Sequence, residues 1–196
     1  MIPGIHQETL FTRQTNLKPS LFIRPIHPKT EIRPTAEAMS KILKAGWVAQ
    51  LKIHGHRAQI HIPPNPNEDL LAYNRQGQLH KKSIPDLLAS EIRRIFAGNQ
   101  HWNVIDAEWT KSDDKLYVFD LLKQEGLLLS RLNFTQRWKM LPRAFISPSI
   151  QKLPILTTLG QCLEALKDPR DFIEGLVFKS PSPGFEDSSI IRCRRR

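Results

Sequence analysis

The sequence predicts a single α+β domain built on antiparallel sheets. Short apolar segments, some with period-two alternation, recur along the chain and are joined by turns of hairpin length. A few amphipathic helical segments lie between them. This is not the regular strand–helix alternation that is typical of a doubly wound parallel sheet. The 196 residues are enough to bury a core without disulfides or metal.

Composition narrows the class of protein. No apolar run approaches the roughly 18–20 residues that span a bilayer, and the first residues show no basic leader followed by an apolar core. We therefore expect a cytoplasmic protein with no membrane contact. The two cysteines, Cys162 and Cys193, are expected to be reduced. The net charge of +10 favours a polyanionic partner, most simply a nucleic acid, although a merely soluble basic protein is the alternative.

The N-terminal part divides into an arm and the start of the domain. Residues 1–34 carry five prolines and little periodicity, which predicts an arm on the surface of a domain formed by 35–196. Thr35 is a helix N-cap candidate and Gly46 a helix stop, so 35–46 should be helical.

The remaining elements follow from periodicity and breakers. The strand at 56–62 alternates apolar and polar residues and ends at a proline cluster. Residues 84–98 form the clearest amphipathic helix. Further strands are expected within 47–55, 69–78, 102–109, 115–122, 172–180 and 190–196, and further helices within 134–145 and 157–168.

The segment LKIHGHR, residues 51–57, raises the first question of chemistry. Lys52 is followed by Gly55, which permits a close approach of backbone to ligand, and by Arg57, which could face the same anion. By itself this pattern is weak, because lysines near glycines are common and usually solvated.

Read together with the rest of the chain, the segment becomes specific. AQLKIHGHRAQIHI resembles the first motif, K-x-x-G, of the ATP-dependent DNA and RNA ligases and related covalent nucleotidyltransferases. Five later strings resemble that family's further motifs in the family's order: NRQG at 74–77, IDAEW at 105–109, LYVFDLL at 116–122, FIEGLVFK at 172–179 and IIRCR at 190–194. The ordered set spans nearly the whole chain.

The resemblance implies a lysyl-AMP mechanism. Lys52 would attack the α-phosphate of ATP, and AMP would pass to a 5′-phosphate before a 3′-hydroxyl seals the strand. Lys179 and Arg57 would lower the pKa of the amine and neutralise charge on the phosphate. Glu174 would hold Mg²⁺ or Mn²⁺. The structural alternative for Glu174 is a surface ion pair with Lys179.

Four other residues receive roles from the resemblance. Glu108 would accept hydrogen bonds from a ribose hydroxyl, or else form a structural ion pair. Phe119 would stack on adenine, or else belong to the core. Gln50 would read the adenine edge. Arg75 would hold the 5′-phosphate at the nick, with simple solvent exposure as the alternative.

Three positions depart from the family pattern. His54 stands where DNA ligases mostly carry aspartate, which resembles nick-sealing RNA ligases; it would hydrogen-bond a phosphate or orient Lys52. Arg192 and Arg194 stand where the family has lysines. They keep the positive charge at the α-phosphate, but arginine is bulkier and forked, so turnover is in question while phosphate binding is not.

The resemblance also implies a fold and leaves alternatives open. The expected architecture is the ligase adenylation domain, with ATP-grasp-like antiparallel sheets flanked by helices and no OB-fold. The chain would then be a stand-alone module, a protein whose partner supplies the OB-fold function, or a piece of a longer one. The leading hypothesis is an ATP-dependent ligase of nicked DNA, with nicked RNA as the alternative substrate. A non-catalytic nucleic-acid-binding protein on the same scaffold is the second reading, and a capping-type enzyme ranks below both.

Overall fold

The structure is a computed structural model that describes residues 22–24, 27–185 and 189–195. The strands are β1 Thr30–Ile32, β2 Val48–Ile53, β3 His56–Ile62, β4 Leu71–Tyr73, β5 Asn103–Thr110, β6 Lys115–Gln124, β7 Leu127–Leu128, β8 Ile150–Lys152, β9 Ile173–Lys179 and β10 Ile190–Arg194. The helices are α1 Ala36–Lys44, α2 Asp86–Ile95, α3 Phe134–Met140 and α4 Leu159–Leu166.

The strands form two sheets. One has four strands in the order β1-β10-β9-β2, and the other has six, with β4-β3-β5-β6-β7 in order and β8 paired to β6. Most neighbours are antiparallel, and the exceptions are β1 with β10 and β6 with β8. The α+β class with antiparallel sheets is therefore confirmed.

Three apolar clusters hold the layers together. The largest packs the six-stranded sheet against α2, through residues such as Ile60, Ile105 and Ile92. The second packs the four-stranded sheet against α1 and α4. A third, smaller cluster contains Ile53 and Ile173 from one sheet and Tyr117 from the other, so it joins the two sheets. Helices thus cover the outer face of each sheet and leave the inner faces to meet.

Capping residues in the sequence mark the ends of helix α1 as the structure has them. The Thr35 side chain accepts a hydrogen bond from the Ala38 amide at the start of α1, and Gly46 has a φ of +83° just beyond its end. Three short strands, β1, β7 and β8, were not predicted. Two or three residues are too few to show a period, and β4, which is equally short, was expected only because a turn follows its apolar residues.

Strand β1 lies within the predicted arm. It pairs with β10 and completes the four-stranded sheet, so residues 30–32 belong structurally to the domain's edge. The division at 34/35 otherwise stays a prediction, and residues 1–21 lie outside the described part of the chain. Within that described part, no helix has the length and apolarity required to cross a bilayer.

Candidate functional site

The polar residues of the strands gather on the inner faces of the two sheets. In β3, Ala58 and Ile60 point into the large core, so Arg57 and Gln59 lie on the opposite face. The Gln50 side chain of β2 reaches the backbone of β6, which shows that the two inner faces are in contact. We call the space between them the cleft. Its walls include Gln50, Lys52 and Lys179 from the four-stranded sheet and Arg57, Glu108 and Phe119 from the six-stranded sheet.

Lys52 and Glu174 form the first contact pair of the cleft. Lys52 Nζ donates to Glu174 Oε2, and His54 Nδ1 lies 2.6 Å from the other carboxylate oxygen. Burial alone would raise the pKa of Glu174, but the hydrogen bonds from Lys52 and His54 outweigh it and lower that pKa. The glutamate of the E-G-x-V-x-K string therefore pairs with the candidate nucleophile, and the alternative pairing with Lys179 is wrong.

Glycine at 175 makes this arrangement possible. Lys52 lies opposite Gly175 in the β2–β9 register, and Arg194 lies opposite it on the other side. A Cβ on Gly175 would lie 2.1 Å from the carbonyl oxygen of Cys193, and the residue has a φ of +143°. Only glycine fits this close approach of β9 to β10. Lys52 and Arg194 thus share one row across the sheet, two strand spacings or about 10 Å apart.

Arg57 and Glu108 approach from the six-stranded sheet. Arg57 donates through Nε to Asp106 Oδ1 at 2.9 Å and through Nη2 to Oδ2. Burial would lower the pKa of Arg57, but the charge and hydrogen bonds of Asp106 outweigh it and raise that pKa. Arg57 therefore stays protonated. Burial raises the pKa of Glu108 to about 7, against the opposing charges of Arg57 and Lys52.

Two cations lie close to the Phe119 ring. The Arg57 guanidinium carbon is 5.4 Å from its ring centroid, and Lys179 Nζ is 5.0 Å from it. Lys179 also lies 5.1 Å from the Phe134 ring, and burial lowers its pKa to about 8. Lys179 pairs with Val48, at the opposite end of β2 from Lys52. The structure therefore places Lys179 with Phe119 and does not place it beside Lys52.

The Gln50 side chain is almost fully buried, and only its amide nitrogen has hydrogen-bond partners in the described part of the chain. Its Nε2 donates to the carbonyl oxygens of Leu153 at 3.2 Å and Phe119 at 3.4 Å. These two acceptors fix the orientation of the amide, because the oxygen could not occupy that position. Gln50 Oε1 is buried without a hydrogen-bond partner among the described residues. A buried acceptor left unpaired is costly, which marks it as a place for a donor from a ligand.

Arg192 and Arg194 lie on the cleft side of β10. Ile191 and Cys193 pack into the second core cluster, so Arg192 and Arg194 point the other way. Both contact Glu31 of β1: its Oε2 is 2.6 Å from Arg192 Nε and 3.7 Å from Arg194 Nη1. Arg75 is exposed in the turn that follows β4.

Four charged residues contribute to the site although the motifs did not predict a role for them. Asp106 and Asp120 are 1% and 4% exposed, and Arg137 is 2% exposed. Arg137 donates to both oxygens of Asp120, at 2.9 and 2.8 Å. The signal was present, since carboxylates inside apolar strands require partners. Glu31 carried no such signal, because a glutamate in a proline-rich segment is ordinary.

No cluster of three His, Cys, Asp or Glu side chains suited to a metal is found among residues 22–24, 27–185 and 189–195. Glu174, with His54 beside it, is the acidic group next to Lys52. This donor set fits an ion that is held largely by substrate phosphates, as Mg²⁺ often is.

Comparisons with known proteins give a fold. No protein-family model matches the sequence, and no curated protein sequence matches it. Among solved structures, the chain is similar to mycobacterial DNA ligase D complexed with ATP and MES, with a TM-score of 0.58 and 18% identity over 76% of this chain and 54% of that one. It is also similar to the ligase domain of LigD from M. tuberculosis, with a TM-score of 0.55 and 19% identity over 85% of this chain and 59% of that one.

A third similar structure is a putative ATP-dependent DNA ligase from Aquifex aeolicus, with a TM-score of 0.50 and 18% identity over 86% of this chain and 49% of that one. The chain therefore spans between about half and three fifths of the length of these structures. The adenylation-domain fold expected from the resemblance is confirmed. The chain has the fold of the nucleotidyltransferase domain of ATP-dependent DNA ligases.

Proposed function

We propose that the protein is an ATP-dependent polynucleotide ligase that forms a lysyl-AMP intermediate on Lys52 and seals 5′-phosphate/3′-hydroxyl nicks. The observation that carries this proposal is the position of Lys52. It lies on the inner face of the four-stranded sheet, in contact with Glu174, and only β9 separates its strand from that of Arg194. Cytoplasmic location remains part of the proposal.

The first step joins Lys52 Nζ to the α-phosphorus of ATP and breaks the bond to the pyrophosphate oxygen. The amine must lose its proton before attack, because an ordinary lysine is well under about 1% neutral at pH 7. Glu174 Oε2, which already accepts from Nζ, would receive that proton or pass it to solvent. Arg192 and Arg194 would stabilise the charge that develops on the phosphate.

The nucleobase would be read by Gln50. The free acceptor Oε1 would take a hydrogen bond from the exocyclic amine of adenine, while guanine presents a carbonyl at the same position. Because Nε2 is already committed to Leu153 and Phe119, the amide cannot turn to favour guanine. Phe119 would stack on the base and Glu108 would accept from a ribose hydroxyl.

A divalent ion, Mg²⁺ or Mn²⁺, would be held by Glu174 and the phosphates. When bound it would supply positive charge at the reacting phosphate. His54 keeps one oxygen of Glu174 oriented through the 2.6 Å contact, which supports a positioning role for it.

The proposed substrate is a nicked duplex, with DNA favoured over RNA. The net charge of +10 supports a polyanionic partner. The exposed Arg75 would contact the 5′-phosphate. A protein partner supplying the OB-fold function would complete the clamp on the duplex.

The experiment is incubation with α-labelled ATP and Mg²⁺, followed by denaturing electrophoresis. We expect label on the wild-type protein and none on Lys52→Ala, with Lys167→Ala as a control that removes an exposed lysine paired with Glu164. Intact mass would reveal protein already carrying AMP. Labelled protein would then be offered nicked DNA and nicked RNA. Label retained on Lys52→Ala would contradict the proposal.

One observation favours a second function. Arg192 and Arg194 already contact the carboxylate of Glu31, and Glu174 is engaged by two side chains. This arrangement supports a nucleic-acid-binding protein on a ligase scaffold that never forms the adenylate. Folded wild-type protein that binds a nicked duplex and takes no label, in the absence of a preformed AMP adduct, would favour it.

A further inference from the structure

Glu31 comes from outside the motif strings and lies against the proposed phosphate site. It is opposite Arg192 in the parallel register of β1 and β10. Ile32 packs into the second core cluster, so Glu31 points to the cleft side with the arginines. One oxygen, Oε2, contacts Arg192 Nε at 2.6 Å and Arg194 Nη1 at 3.7 Å. A single carboxylate oxygen therefore forms ion pairs with both arginines.

We propose that Glu31 determines the affinity of this site for phosphate: its carboxylate is an internal anion on the Arg192–Arg194 pair, and it competes with the phosphates of the nucleotide. The inference rests on the proposed function for the identity of the competing ligand. The location of the pair supports it, since Arg194 shares its row of the sheet with Lys52.

The competition is weak enough to be overcome. The side chains of Arg192, Arg194 and Glu31 are 32%, 48% and 38% exposed, so their ion pairs are partly screened by solvent. Strand β1 has three residues at the edge of its sheet, where strand pairing is least stable. A polyphosphate can therefore displace the carboxylate or share the arginines with it.

The same geometry accounts for arginine at positions 192 and 194. A guanidinium has five donor hydrogens, and Glu31 engages Arg192 through Nε, which leaves the donors of both terminal nitrogens. A lysine paired with this carboxylate would hold its whole charge at one point, against Glu31. Arginine thus retains phosphate-binding capacity beside a carboxylate that would largely neutralise a lysine.

The test is the affinity for inorganic pyrophosphate, measured by titration calorimetry with EDTA present. We expect Glu31→Gln to bind pyrophosphate about three- to tenfold more tightly than wild type, which corresponds to one or two exposed ion pairs. Glutamine keeps the size and an acceptor oxygen, so β1 should stay paired, and an unchanged melting temperature checks this. Glu37→Gln makes the same charge change on α1, on the helix-covered side of the sheet, and should alter the affinity less than twofold.

A double-mutant cycle assigns the effect to the arginines. In the Arg192→Gln/Arg194→Gln background, Glu31→Gln should give no gain. In the adenylylation assay, Glu31→Gln should lower KM for ATP without raising kcat. Unchanged or weaker pyrophosphate binding in Glu31→Gln would overturn the inference, as would a gain that survives loss of both arginines, or binding undetectable in both wild type and Glu31→Gln.

The two proposals fail separately. Tighter pyrophosphate binding without any adenylate would leave the anion site intact and reject the ligase reaction. Adenylate formation with no change in pyrophosphate affinity would reject the role of Glu31 and leave the ligase proposal standing.

Discussion

Lys52 Nζ donates a hydrogen bond to Glu174 Oε2, across two adjacent strands whose residues are separated by 122 positions in the chain. The register irregularity of β2 and β9 falls between Lys52 and Ile53, directly beside this pair. A bulge of this kind re-aims side chains at a functional site. The pairing makes Glu174 the group most directly coupled to the proposed nucleophile.

Glu174→Gln should therefore slow formation of the lysyl-adenylate by at least about 100-fold, because removal of one charged group that contacts the reacting centre typically costs that much. Glutamine keeps the shape and one acceptor but loses the negative charge. The rate of label transfer under single-turnover conditions is the measurement. Glu164→Gln is the control, since its carboxylate is exposed and paired only with Lys167 in the contacts described. Equal labelling rates would remove Glu174 from the mechanism.

Gln50→Leu should weaken discrimination between ATP and GTP. The change deletes the buried acceptor proposed to read the adenine amine. It also removes the Gln50 donor from the carbonyls of Phe119 and Leu153, although the Leu153 oxygen still accepts from Trp138 Nε1 at 2.7 Å. We expect about a 10-fold fall in the ratio of ATP to GTP labelling, and a loss of roughly 1–3 kcal/mol in the free energy of unfolding. Gln151→Leu, an exposed glutamine of β8, is the control. An unchanged nucleotide ratio would show that the base is read elsewhere.

The stability of the nucleotide-free protein should depend on Glu108. Its pKa is raised by burial to about 7, against an ordinary value of 4.5 in the unfolded chain. Between these pH values the folded protein binds more protons than the unfolded chain, so the contribution of Glu108 to stability falls as pH rises through this window. Glutamine at position 108 does not titrate. The free energy of unfolding of Glu108→Gln, relative to that of wild type, should therefore rise by on the order of 2 kcal/mol between pH 4.5 and pH 8.

Urea denaturation at several pH values measures this difference. Glu68→Gln, at an exposed position, should track the wild-type profile. If the free energies of unfolding of Glu108→Gln and wild type differed by the same amount at every pH, the pKa of Glu108 would not be raised in the folded protein.

Gly175→Ala should destabilise the protein strongly. The added Cβ would lie 2.1 Å from the Cys193 oxygen and 2.9 Å from the Arg194 Cα, at a φ of +143°. Backbone must move, so we expect a loss of about 3 kcal/mol or more in the free energy of unfolding. Gly160→Ala in α4 is the matched control: outside its chain neighbours and the adjacent backbone of its own helix, no atom lies within 4 Å of the added Cβ, and alanine should stabilise by up to about 1 kcal/mol. Chemical denaturation of both variants would test the pair, and equal stability would contradict the close approach of β9 to β10.

Local sequence information was sufficient for much of the fold. Alternation identified β3, and capping residues identified α1 because their effects are confined to adjacent turns of the chain. Hydrophobic period alone cannot define strands of two or three residues. This is why β1, β7 and β8 were not predicted, whereas β4 was expected from the turn that follows it. The neighbour that completes β1 lies about 160 residues away, in β10.

The sequence by itself indicated which residues are candidates for the chemistry, namely Lys52 and the carboxylates Glu108 and Glu174, through ordered strings that resemble the motifs of a ligase adenylation domain. Tertiary structure alone decided which of them meet. It paired Lys52 with Glu174, placed Lys179 on Phe119, and brought Glu31 against Arg192. The reason is physical, since strand pairing and burial join residues that are distant along the chain, whereas periodicity and capping report only on near neighbours.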